Sequence, residues 1–147
     1  MNSKAIRIVV VDDHALFRAG LIHLPDQMPD LQVIGEAANG KEGLKVVTAE
    51  KPNLVLLDVE MPILDGVATV TELRKISDCK ILMLAISKRQ EDLIGAIQAG
   101  ADGYLLKNAE PGELHKSIQR AMSGQAALSP GVTAQVMAAR DSSLRSE

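Results

Sequence analysis

Aromatic side chains are almost missing from this 147-residue chain: Phe17 and Tyr104 stand alone, and there is no tryptophan. Binding of single-stranded nucleic acid or of sugars by stacking needs aromatic platforms, so that class of function is set aside, and the core must be built from Leu, Ile, Val, Ala and Met. Cysteine occurs once, at Cys79, which excludes an intrachain disulfide and leaves an ordinary thiol. No apolar run reaches the ~18 residues of a membrane span, and the start does not resemble a signal peptide, so the expectation is a cytoplasmic protein with no membrane partner. The formal net charge is -3, with Lys and Arg scattered instead of gathered in a stripe, a poor electrostatic match for DNA. Gly20, Gly35, Gly40 and Gly43 form no phosphate-cradling pattern, and His14, His23 and His115 share no metal-ligand spacing.

What remains is a chain of one ordinary domain, with 46% hydrophobic and 24% charged residues, long enough to bury a core. Five β-like segments are predicted at about residues 6–11, 31–37, 53–57, 80–85 and 102–106, each followed by helical apolar spacing. The first, third and fourth are nearly continuous apolar runs (Ile8 to Val11, Leu54 to Leu57, Ile81 to Ile86), as parallel strands covered on both faces require. The fold class expected is therefore α/β, a doubly wound (βα)5 sandwich around a five-stranded parallel sheet. Gly100 and Gly124 are plausible stops for the fourth and fifth helices. Pro25 predicts that the helix beginning near His14 ends or bends near Leu24, because a proline inside a helix costs about 3 kcal/mol. Residues 1–124 complete such a domain. Residues 125–147 read as a linker with a short sixth helix, Ser129 as its N-cap and Pro130 its first residue, leading to something absent.

The chemistry-bearing residues lie at strand ends. Asp12 and Asp13 end "IRIVVVDD", Asp58 ends "NLVLLD" and Lys107 ends "GYLLK". In an open parallel sheet those ends share one rim, so four residues far apart in sequence can meet in an acidic pocket with a single cation. Clustered carboxylates cannot all stay ionised cheaply without a cation, and a hard ion such as Mg2+ prefers oxygen ligands. Such an ion also permits a carboxylate to act as nucleophile toward a phosphoryl group, giving an aspartyl phosphate. Asp58, alone at its strand end beside the expected switch point of the sheet, is the candidate nucleophile; Asp12 and Asp13 would hold the metal, and Lys107 a phosphoryl oxygen. The competing assignment for each acid is a turn former or helix cap, with Asp13 able to cap the helix that opens at His14. A metal role for His14 is disfavoured by the hardness of the ion, and Met61, Met83 and Met122 read as core filler.

"VVVDDH", "LVLLDVEMPILDG" and "AGADGYLLK" resemble the three signature blocks of the receiver domain of bacterial two-component response regulators, in order and at family spacing, over residues 5–124. "DDHALFRAGL", "VIGEAANGKEGL" and Asn108 after the lysine resemble the NarL/FixJ subfamily, with its LuxR-type output, in which a receiver precedes a helix-turn-helix DNA-binding domain. The resemblance implies a flavodoxin-like receiver fold with strand order 2-1-3-4-5, Asp58 as phosphoacceptor, and Asp12, Asp13 and the Glu60 backbone carbonyl as the rest of the Mg2+ site. It also implies Lys107 as the phosphoryl contact and Tyr104 as the aromatic whose rotamer reports the switch; the alternative for Tyr104 is an ordinary half-buried strand tyrosine. The implied partners are a sensor histidine kinase, a second receiver in a homodimer, and DNA only through an output domain absent here.

Two positions depart from the family pattern. Ala85 in "LMLAIS" stands where Thr or Ser is usual, and a methyl group cannot donate the hydrogen bond through which a phosphoryl oxygen moves the following loop. Losing one charge-assisted bond is worth roughly 1.5 to 3 kcal/mol, a ten- to hundredfold shift of a two-state equilibrium. Ser87 has the same strand parity, but about 6.5 Å of extended backbone separates it from Ala85. Glu60, where a neutral polar residue is frequent, either reaches the metal or repels anionic donors, or is an outward-facing loop acid. The expectation is a phosphoaccepting receiver that is not an enzyme on other substrates. Its rivals are a binding module of the same fold whose switching is impaired by Ala85, and an aspartyl-phosphate phosphatase, for which Asp58-Val59-Glu60 is only a loose match.

Overall fold

The computed structural model describes residues 5–86, 90–124 and 127–128, with backbone alone for 90–93 and 127–128. Strand β1 (Ile6–Val11) leads to helix α1 (Ala15–Ile22) and one 3-10 turn (Leu24–Asp26). Then follow β2 (Leu31–Ala37), α2 (Gly40–Glu50), β3 (Leu54–Asp58), α3 (Gly66–Ile76), β4 (Lys80–Ala85), α4 (Gln90–Ala99), β5 (Gly103–Leu106), α5 (Pro111–Met122) and β6 (Ala127–Leu128). All pairings are parallel, in the order β2-β1-β3-β4-β5-β6.

The continuous apolar runs are explained by alternation within a sheet covered twice. Val9, Val11, Val55, Leu57, Ile81, Met83 and Tyr104 face one layer, packed with Val47, Val70, Leu73 and Ala96 of α2, α3 and α4. Ile8, Val10, Leu54, Leu56, Leu82, Leu84 and Leu105 face the other, packed with Leu21 of α1 and Leu114 and Ile118 of α5. Along the central runs Ile8–Val11, Leu54–Leu57 and Ile81–Leu84 every position is then apolar, which is the pattern of a doubly wound sheet and not of a one-sided one.

The expected five strands are present in the expected order, 2-1-3-4-5. Beyond these five, Ala127 and Leu128 pair with Gly103 and Tyr104 and add a two-residue sixth strand at the β5 edge. Two residues carry no readable period, while the open edge of β5 supplies the unpaired backbone groups that capture them. The sixth helix expected from Ser129 and Pro130, and the expectation for Ser87, lie outside the described residues. Pro25 acts as foreseen: α1 stops at Ile22 and the proline sits in the first positions of the 3-10 turn, where its missing N–H is no loss. Gly100 closes α4 at φ 113°, a backbone conformation that side chains rarely tolerate.

At the rim, Gly66 is required by proximity. A Cβ there would fall on the Asp58 carbonyl, so only glycine lets the start of α3 seat against the end of β3, where its N–H donates to the Val59 carbonyl at 2.8 Å. Asp65 caps α3, its carboxylate accepting from Ala68 N at 2.8 Å, and Asn39 caps α2 through Glu42 N.

Candidate phosphoryl and metal site

Strand order places the ends of β1, β3, β4 and β5 side by side, and their terminal residues converge. Asp12 follows β1 and is held from its backbone, where its N–H donates to the Ala37 carbonyl at 3.0 Å. The Arg18 guanidinium donates to the Asp12 carbonyl at 2.5 Å. Its side chain is buried, and Oδ1 accepts from His14 N at 2.8 Å, closing an Asx turn that starts α1. Asp58 is the last residue of β3, paired in register with Leu84, and is also buried. Expected strand ends stopped at the last apolar residue, Leu57; the ladder includes the acid, which fixes its direction.

Lys107 closes the constellation. Its Nζ lies 2.8 Å from Asp12 Oδ2 and 3.3 Å from Asp58 Oδ1, with the lysine side chain 11% exposed. The Lys107 N–H donates to the Ala85 carbonyl at 2.7 Å, tying the end of β5 to the end of β4. Asp13, exposed at the mouth, completes a set of three carboxylates whose nearest oxygens all lie within 4.8 Å of one another. The cap position of α1 belongs to His14, which makes no side-chain cap bond, so the alternative role of Asp13 as that cap does not hold.

Burial, first of all, and then the Asp12 carboxylate push the Asp58 acid from its usual 3.8 up to about 7; a hydrogen bond with Asp13 adds to this and Lys107 opposes it. One ammonium is thus insufficient to offset three acids. An all-oxygen donor set with surplus negative charge is the chemistry that a hard divalent cation satisfies, and no histidine belongs to it among the described residues. The cavity at the mouth holds about 190 Å³, and Glu60, Ala85 and Ile86 line it beside the acids.

The remaining candidates fall as follows. The Glu60 side chain is exposed on the cavity wall, and its N–H donates to Asp58 Oδ1 at 3.4 Å. Ala85 ends β4 with its methyl group buried in that wall. Tyr104 is completely buried in the layer beneath α2, α3 and α4, so the half-buried alternative is corrected: the apolar cluster of that layer encloses it. His115 pairs with Asp30 at 2.8 Å, far from the acids in the fold. Phe17 was missed. Its ring centroid is 4.6 Å from Lys107 Nζ, and the only sequence signal was its place one helical turn after Asp13.

No helix among the described residues is long and apolar enough to cross a membrane. The family model for the response regulator receiver domain matches residues 8–119. The chain is 38% identical over 133 residues to the nitrate/nitrite response regulator protein NarL of Escherichia coli K12, covering 90% of this chain and 62% of that protein. It is 34% identical over 133 residues to the transcriptional regulatory protein LiaR of Bacillus subtilis, covering 90% and 63%. Among solved structures, a LuxR-family two-component response regulator from an Aurantimonas species superposes with a TM-score of 0.86 at 29% identity, over 94% of this chain and 99% of that one. The chain spans about three-fifths of the length of the curated relatives it matches. With the matched segment containing Asp12, Asp13, Asp58 and Lys107, the chain belongs to the response regulator receiver domain family, and its relatives are NarL-type, LuxR-family regulators.

Proposed function

We propose that this receiver accepts a phosphoryl group on Asp58 from the phosphohistidine of a sensor histidine kinase, in a Mg2+-dependent step. The observation that carries the reading is the convergence of three carboxylates within 4.8 Å with the Lys107 ammonium on two of them. Asp12, Asp13, Asp58 and the Glu60 carbonyl would hold the ion, which when bound supplies charge neutralisation for the acids and for the incoming phosphoryl oxygens. An Asp58 oxygen forms the new bond to phosphorus while the bond to the donor imidazole breaks, and the imidazole keeps the electron pair. Lys107, freed from its acidic partners, takes one phosphoryl oxygen as a point cation. Such a domain, residues 1–124, acts on no other substrate and changes only its own phosphorylation state.

Downstream, residues 125–147 lead to a helix-turn-helix output domain through which a cytoplasmic regulator of transcription contacts DNA; the greater length of the NarL-type relatives supports this. A second receiver is a further partner. The buried methyl group of Ala85 supports one variation: phosphoryl uptake persists while the conformational response weakens. The phosphatase alternative has little behind it, since among the described residues Glu60 is exposed on the wall of a cavity of only about 190 Å³.

The test is incubation with Mg2+ and acetyl phosphate followed by intact mass, beside Asp58→Asn and a phosphorylatable relative. One added phosphate on the wild type and none on the variant is expected. No adduct on the wild type while the relative is labelled would overturn the proposal.

A further inference from the structure

We infer that Phe17 is a positioning residue for phosphoryl uptake, its ring face holding the Lys107 ammonium at the mouth of the acidic cavity. The inference rests on the phosphoacceptor reading and concerns a residue that the acids and lysine do not require.

Lysine is a compact cation on a flexible four-carbon stem, so where the ammonium rests is decided by its neighbours. Two of them are acids, Asp12 Oδ2 at 2.8 Å and Asp58 Oδ1 at 3.3 Å. Both change during the reaction. Asp12 would be a ligand of the cation that the site holds, and the Asp58 oxygen would become part of an acyl phosphate with less negative charge of its own. The third neighbour does not change. The Phe17 centroid lies 4.6 Å from Nζ, inside the roughly 6 Å over which a ring face attracts a cation. The ring has no net charge, so it competes neither with the cation for carboxylates nor with the phosphoryl group for the lysine.

Placement reinforces the chemistry. Phe17 stands in the first turn of α1, which is anchored to the site because Asp12 Oδ1 accepts from His14 N. Phe17 and Lys107 both line a mostly apolar groove of about 420 Å³ between α1 and α5, where Leu21 and Leu114 lie. The Lys107 side chain is only 11% exposed, and partial desolvation of this kind strengthens a ring-cation contact. The chain has a single phenylalanine, and its other aromatic, Tyr104, is sealed in the opposite layer, so no second ring can replace it.

Initial rates of Asp58 phosphorylation by acetyl phosphate and Mg2+, read by intact mass, separate the ring's electrostatics from its volume. Phe17→Tyr keeps the ring face, and its rate should stay within about twofold of wild type. Phe17→Leu keeps an apolar side chain without the face, and its rate should fall roughly three- to thirtyfold. Thermal melts establish that each variant is folded, and Phe17→Met replaces Phe17→Leu if the latter is not. Equal rates for wild type and the aliphatic variant, or a tyrosine variant as slow as the aliphatic one, would overturn the inference while leaving the phosphoacceptor reading intact. Absence of any adduct on the wild type would overturn both.

Discussion

Neutralising Asp58 should make the folded protein more stable, because the site holds more negative charge than its single lysine offsets. The acid is pushed from 3.8 to about 7 chiefly by burial and by Asp12. At ~1.4 kcal/mol per pH unit that interval corresponds to about 4 kcal/mol of penalty on the ionised form. Water at the open mouth of the cavity screens part of it, so roughly 1 to 3 kcal/mol is the figure to expect. The sign follows from linkage. A group whose pKa is raised on folding binds its proton more tightly in the folded state, so its favourable contribution is complete below 3.8 and is lost as pH rises through about 7. Wild type should therefore lose stability across that window, and Asp58→Asn should not. In EDTA at pH 8, Asp58→Asn should melt about 3 to 10 °C above wild type, with the gain shrinking toward pH 4. Millimolar Mg2+ should narrow the gap by stabilising wild type more than the variant. Circular dichroism melts over pH 4 to 8, with and without Mg2+, decide the matter. A variant no more stable than wild type at pH 8, or a gain independent of pH, would refute the account of the site as electrostatically strained.

Three other outcomes are expected. Ala85→Ser, which places a hydroxyl in the cavity wall, should leave the rate of phosphoryl uptake within about twofold but enlarge the phosphorylation-induced change in amide hydrogen exchange of the segment after β4; an unchanged exchange difference argues against Ala85 as the weak point of switching. Glu60→Gln should alter both the rate of acetyl phosphate uptake and the hydrolysis rate of the aspartyl phosphate, and unchanged values for both remove any role for that carboxylate. Ile63→Gly should raise Tm by about 2 to 6 °C. Ile63 is β-branched at φ 73°, in a tight turn where Leu64 N donates to the Pro62 carbonyl at 2.8 Å, and relief of that strain is worth roughly 1 kcal/mol. A lower Tm would mean that the exposed isoleucine side chain stabilises the loop after all.

Much of the fold was legible because two layers of helices leave no polar face on the central strands. Ile8 to Val11 and Leu54 to Leu57 could be recognised as parallel strands by continuity alone. Topology then did the rest: once the strands were ordered, the rim collected Asp12, Asp13, Asp58 and Lys107 whatever the details of the loops. Pro25 was legible for a similar reason, since a missing N–H acts locally. The two-residue strand at Ala127 was not legible, because its cause is the open edge of β5 and not any pattern of its own. The left-handed Ile63 was likewise hidden. Nothing in an isoleucine asks for positive φ, and the conformation is imposed by the chain having to turn between Val59 and the glycine that seats α3.

The site shows the same division between identity and placement. Residue types named the acids and the cation, but the raised pKa of Asp58 depends on how deeply the end of β3 is buried and how near Asp12 lies, which are distances that no spacing encodes. Phe17 is the sharper case. In the sequence it stood out only as one of two aromatics, and the meeting of the first turn of α1 with the end of β5 is what puts its ring over Lys107. This lysine therefore touches two of the three clustered acids and a ring on the α1 face of the domain. With a methyl group at Ala85 that can donate no hydrogen bond at the end of β4, the contact between Lys107 and Phe17 is one connection among the described residues between the neighbours of Asp58 and the surface of α1. A perturbation that moves the ammonium should thus be felt in α1 even where the β4 side stays silent.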